Sequence, residues 1–273
     1  GYVRCLHDAL GPWEEAAVAR QAPAPHADET GFRVDGRTQW LHVLSDGDLT
    51  LRFPHRRRGR EAIEEIGVIP RYAGMLVHDC WKAYLTYTGC RHRLCGSHLL
   101  RELTFAVDSN DYRWARLMKT LLRLACHWVN ASPTKTLTED LRRTVRTRYR
   151  TILEHGLREL PEIPPRPKGR RGRIAKSDAH NLHERLVRHE DSVLRFMSDP
   201  HASFTNNTGE RKIRMAKVKV KVSGCFRTQF HAEAWCRISS YLISMAAQGY
   251  NPLVAIQIAL AGDAANIIRE RDA

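Results

Sequence analysis

Two turn signals, Asp35-Gly36 and Asp46-Gly47-Asp48, cut residues 26–53 into three short stretches rich in Phe, Val, Trp and Leu. Gly and Asp tolerate the positive φ of tight turns, so such pairs between apolar runs close β-hairpins. The reading is three antiparallel strands, about 26–34, 37–45 and 48–53. Ahead of them Gln21-Ala22-Pro23-Ala24-Pro25 is a stiff, extended lead-in, and residues 1–20 read as helix broken at Gly11-Pro12. Residues Arg60 to Ile66 space their apolar side chains as a short amphipathic helix closed by Gly67. The apolar run Gly74 to His78 then puts Asp79 at the C-terminal tip of a buried strand. Another strand near 91–95 leads into a helix from about Leu99, with Ser97 as its N-cap.

Helical periodicity runs from about 99 to 160, and the spacing predicts further helices over 178–198, 229–248 and 252–261. Between them "PEIPPRPKGRRGR", residues 161–173, is a Pro-rich basic loop. The 44 Lys and Arg against 30 Asp and Glu give a net charge of +14 and a pI near 9.8, which makes a polyanion the default partner. Nucleic acid fits better than a membrane, because no apolar run approaches the roughly 20 residues of a bilayer span and no signal-peptide pattern opens the chain. A cytoplasmic location follows, and seven scattered Cys read as reduced thiols. The chain begins at Gly1 in what reads as a helix in progress, as the C-terminal part of something longer would.

A basic chain with an acidic cluster, Asp28, Glu29 and Asp35, at the start of its first sheet needs a reason for it. Ligands gather beyond the carboxyl ends of strands in a mixed α/β sheet, and neighbouring strands lie only about 4.8 Å apart. Asp28 and Asp79 are thereby placed to share a cation. Glu210, in the first turn of a helix after Asn206-Asn207 and capped by Thr205 or Asn206, is the third candidate ligand. Lys217, Lys219 and Lys221 alternate with Val218, Val220 and Val222 and read as a strand whose polar face lines a phosphate backbone.

The ordered segments "HADETGFRVDG", "VHDCWKAY", "CGSHLLREL" and "NNTGERKIR…KVSGCFRT" resemble the catalytic region of the insertion sequence 66 family of bacterial DDE transposases, over about residues 25–262. The resemblance implies an RNase H-like mixed sheet flanked by helices, with an α-helical insertion between the second Asp and the Glu. It implies Asp28, Asp79 and Glu210 as catalytic residues and as ligands of two Mg²⁺ or Mn²⁺ ions. It implies two-metal cleavage of a DNA phosphodiester at the transposon end, then transfer of the freed 3′-hydroxyl to target DNA. The expected parts are a lead-in over 1–24, core segments over 25–105 and 201–250, a helical insertion over 106–200 and a C-terminal helix over 251–273. Cys95, His98, Asn207 and Arg211 are the expected active-site neighbours. Lys217, Lys219, Lys221, Arg170, Arg171 and Arg173 are the expected DNA contacts. The expected partners are transposon-end and target DNA, further copies of the chain on that DNA, and accessory proteins of the element. Family members carry upstream DNA-reading segments that this sequence lacks, and Gly209 stands where they usually have Ala.

Bland readings stand beside these. Glu29 and Asp35 read as solvated or turn residues, Trp81 and Tyr84 as core aromatics, and Arg56-Arg57-Arg58 as a solvated run. Glu233 is a second acid outside the motif. Cys90, His92, Cys95 and His98 offer four soft-metal donors, though not at the usual zinc spacing. The alternatives for the whole chain are a metal-dependent nuclease of the same fold without strand transfer, and an inactive DNA-binding remnant.

Overall fold

The computed structural model describes residues 1–20, 24–163 and 174–272. The chain divides into two compact units, one formed by Gly1–His92 and the residues from Asn206 onward, the other by Arg93–Thr205. The first unit opens with α1 (Tyr2–Ala9) and α2 (Gly11–Ala19). Pro12 sits in the first turn of α2, where a missing N–H costs nothing. Three strands follow, β1 (His26–Val34), β2 (Arg37–Ser45) and β3 (Thr50–His55). Asp35 and Gly36 turn the first hairpin at φ of 49° and 68°. α3 (Arg60–Ile66) ends on Gly67 at φ 74°, β4 (Met75–His78) follows, and β5 (Arg91–Leu94) carries the chain across the division.

The five strands form one sheet in the order β3-β2-β1-β4-β5. β1 pairs antiparallel with β2 and parallel with β4, and β2 pairs antiparallel with β3, so the sheet is mixed. After the second unit come α9 (Asn207–Ser223), α10 (Gln229–Ala247), α11 (Pro252–Ala261) and α12 (Ala264–Asp272). Alternation along the strands sends Phe32, Val34, Leu41 and Val43 to one face, under Ile213 and Ala216 of α9 and Ala232 and Cys236 of α10. Ala27, Leu44 and Leu76 point the other way, onto Ile63, Ile69, Tyr72 and Tyr84. A third cluster joins Trp13 of α2 to Leu51 of β3 and to Tyr241 and Met245 of α10. Among the described residues no helix is long and apolar enough to cross a membrane.

The second unit holds α4 (Gly96–Asn110), α5 (Arg113–Ala131), α6 (Glu139–Gly156), α7 (Asp178–Arg188) and α8 (Glu190–Leu194). Trp114, Met118 and Leu122 of α5, Val145 and Tyr149 of α6 and Leu186 of α7 are fully buried, and the Tyr149 hydroxyl donates to Leu186 O at 2.8 Å. Its first and last residues are pinned together. Gly96 N donates to Phe204 O at 2.8 Å, and the fully buried Arg93 donates to the same carbonyl at 3.0 Å, its guanidinium lying over the Phe196 and Phe204 rings.

Two local expectations are corrected. Lys217 to Val222 is the last part of a helix, not a strand. Ile213 and Ala216, three residues apart, are both 3% exposed against the sheet, Lys is a good helix former, and a helix satisfies its own backbone where a strand needs a neighbour. α9 stops at Ser223, before Gly224 at φ 72°. The helix after β5 begins at Gly96 with Cys95 as N-cap and has no side-chain cap bond, so Ser97 is not its cap; the Gly96 amide goes to Phe204 instead.

Candidate active site

The register brings two carboxylates to one level. His26 of β1 lies opposite Val77 of the parallel β4, so two residues further along Asp28 is level with Asp79, just past the end of β4. Asp28 Oδ1 accepts from Glu29 N at 2.9 Å. Asp79 Oδ1 accepts from Trp81 N at 2.9 Å, which turns the chain away from the strand. Glu210 arrives in the first turn of α9, its N–H donating to Asn206 O at 3.0 Å. Asn206, 1% exposed, fastens that turn to β1: its Nδ2 donates to Ala27 O at 2.9 Å, and His26 Nδ1 donates to its Oδ1 at 2.7 Å. Gly209 lies against this clasp, and a Cβ there would stand 3.0 Å from Asn206 Oδ1.

The electrostatics of Asp28 reflect its surroundings. Burial pushes the Asp28 carboxyl up to about 7, the neighbouring Glu29 pushes in the same direction, and Asp79 and Glu210 add to it against one backbone hydrogen bond. A carboxyl near half-protonation at neutral pH, facing further carboxylates, is a place where a cation relieves repulsion.

Glu29 is not a solvated residue, which corrects the reading above. Period two turns it to the opposite face from Asp28, and its side chain is 2% exposed. There Arg58 donates to its Oε1 through Nε at 2.9 Å and Nη2 at 2.6 Å, and the Tyr84 hydroxyl donates to Oε2 at 2.6 Å. The Arg58 guanidinium lies 4.9 Å from the Trp40 ring centroid and 4.6 Å from that of Trp81. Arg58 is therefore part of this packed group and not of a solvated run. Burial pushes the Glu29 carboxyl up, and the bonds from Tyr84 and Arg58 pull it back down. Tyr84→Phe removes one of these donors from a buried carboxylate. Its expected cost is about 1–3 kcal/mol, read as a lower midpoint in urea denaturation.

The other expected site residues fall as follows. Asn207 and Arg211 are exposed on the first turns of α9, and Lys217 and Lys221 are exposed further along it. Lys219 donates to Ser223 Oγ at 2.9 Å and lies over the Phe226 ring. Cys95 and His98 belong to the second unit, at the start of α4. Arg170, Arg171 and Arg173 lie outside the described residues. Of the four soft donors, Cys90 Sγ donates to Tyr87 O at 3.5 Å, while His92 bonds Tyr87 O through Nε2 and His78 through Nδ1. Glu233 is exposed on α10 and accepts from Gln229.

A mixed five-stranded sheet flanked by helices, on a strongly basic chain, makes this an α/β protein. Residues 3–234 match the transposase IS66 family. The chain belongs to that family, which makes it a DNA transposase by family. No curated protein matches it.

Proposed function

We propose that the chain is the catalytic region of a DDE transposase with an RNase H-like core, in which residues 106–200 are the helical insertion. The observation that carries this reading is the level placement of Asp28 and Asp79 on parallel neighbours, with Glu210 coupled to Asp28. The donor set suits hard divalent cations, being all carboxylate and mutually repelling. Asp28, Asp79 and Glu210 would hold two Mg²⁺ or Mn²⁺ ions. Such ions lower the pKa of an attacking water, or orient a 3′-hydroxyl, and neutralise the leaving 3′-oxygen of a DNA phosphodiester.

The chain's own residues do the rest. Asn206 and His26 hold Glu210 against β1, and Arg58 and Tyr84 fix Glu29 and with it the backbone N–H that Asp28 accepts. Cys95, His98, Asn207 and Arg211 are proposed neighbours of the phosphate that is cut. Lys217, Lys219 and Lys221, with Arg170, Arg171 and Arg173, are proposed to grip the backbone. Assembly of several copies on paired ends, with accessory proteins of the element, belongs to the same reading.

The test is Mn²⁺-dependent reaction of a labelled transposon end with target DNA. Joined donor and target strands are the expected product, lost in Asp28→Asn, Asp79→Asn and Glu210→Gln. Nicks without joining would make the chain a nuclease. Chelator-insensitive DNA binding with no cleavage under any metal would make it a remnant.

A further inference from the structure

The β1–β2 hairpin carries a cleft in the same unit as the carboxylates. Its volume is about 450 Å³, and Arg37, Gln39, Arg56, Arg227 and Gln229 line it together with one acid, Asp35. The three arginines are exposed; Gln39 is 8% exposed. The direction of its hydrogen bonds is fixed. Gln229 Nε2 donates to the Glu233 carboxylate at 2.9 Å, which accepts only, so Gln229 Oε1 accepts from Gln39 Nε2 at 2.8 Å. Gln39 Oε1 is left as a buried acceptor with no donor among the described residues.

The lining narrows the ligand. Three guanidiniums against one carboxylate favour an anion, and for a chain of net charge +14 the phosphates of a nucleic-acid strand are the anions to consider. Gln39 Oε1 is closed to solvent and takes no part in that contact.

The cleft is also in line with the candidate active site. Gln39 is level with Phe32, and Asp28 with Val43. Gln39 shares strand parity with Leu41 and Val43, so it faces the side of the sheet on which Asp28 lies. At about 3.3 Å per residue the cleft is roughly 13–23 Å along β1 from Asp28. α9 spans the same interval. It starts beside Asn206, and just past its end Phe226 bonds Arg33 O and Asp35 N. Its exposed Arg214, Lys217 and Lys221 make a basic track between the two places.

We propose that this cleft is a nucleotide-binding subsite for the DNA strand, about four to seven nucleotides from the phosphate cut at the carboxylates, taking 3.4 Å per nucleotide. The proposal rests on the reading of the chain as a transposase catalytic region. It is tested by the salt dependence of binding to a labelled DNA duplex, in chelator, for wild type, the triple variant Arg37→Ala/Arg56→Ala/Arg227→Ala and Gln39→Leu. The triple variant is expected to lower the slope of log K against log salt by about two to three, and affinity by about tenfold or more. Gln39→Leu, which removes no charge, is expected to leave the slope unchanged. Phosphate ethylation four to seven nucleotides from the cut is expected to impair binding by wild type and not by the triple variant. An unchanged slope, or interference unaltered by the variant, overturns the subsite. Mn²⁺ calorimetry on the same proteins separates the two readings: binding that depends on Asp28 and is kept in the triple variant supports the active site, whatever the slopes show.

Discussion

Asp28→Asn is expected to lower metal-dependent strand cleavage by about three orders of magnitude or more, and at the same time to make the metal-free protein more stable at pH 8. Both effects come from one carboxyl. Its ordinary value is 3.8 and in the fold it stands at about 7. Between those limits the unfolded chain has given up a proton that the folded chain still holds. Stability therefore falls as pH rises from 3.8 to 7, and the whole penalty is present above 7. At about 1.4 kcal/mol per unit it reaches up to roughly 4 kcal/mol, and Asn carries none of it. A divalent cation bound to the carboxylates offsets the same penalty. Calorimetric melts at pH 5 and pH 8, with and without Mn²⁺, should show wild type losing more stability on alkalinisation than the variant and regaining it only with metal. Parallel pH profiles for the two proteins would mean that Asp28 ionises without strain and that the carboxylates do not meet.

The second large effect is structural. Gly96→Ala places a Cβ 2.4 Å from Phe204 Cζ, inside any tolerable contact. The ring cannot retreat freely, because it packs edge-on against Phe196 at 4.9 Å and its carbonyl is held by both Gly96 N and Arg93. The expected loss is about 3 kcal/mol, measured by urea denaturation. Ser97→Ala, one residue on and without a capping role, is expected to stay within about 0.5 kcal/mol of wild type. Equal effects from the two would remove Phe204 as the reason for a glycine at 96.

The first three strands, the helix that closes on Gly67 and the strand tip at Asp79 were legible because each is bounded by local chemistry: turn pairs, a C-terminal glycine, an apolar run. What was not legible depends on partners remote in sequence. The alternation from Lys217 to Val222 looks like a strand to any short window, and only the anchoring of Ile213 and Ala216 to β1 and β2 makes it helix. Glu29 looked solvated beside Asp28, although period two already turned it to the opposite face, where a buried carboxylate needs donors. Those donors, Arg58 and Tyr84, lie 29 and 55 residues away, and nothing local points to them. The register that levels Asp28 with Asp79 is likewise a property of the pairing, not of either segment.

The clasp between His26 and Asn206 joins residues 180 apart, and this has a consequence in biosynthesis. At 5–20 residues per second a ribosome makes Asp28 roughly ten to forty seconds before Glu210, so β1 exists without the α9 turn that fastens to it for most of translation. Closing so long a loop costs about 4–5 kcal/mol of chain entropy. The Arg93–Phe204 bond shortens it: once the second unit has folded, only about 70 flexible residues separate the ends, and the cost drops by about 1 kcal/mol. The order of events favours the helical unit first and the clasp of Asn206 on β1 last. A chain released before residue 206 has neither the clasp nor Glu210.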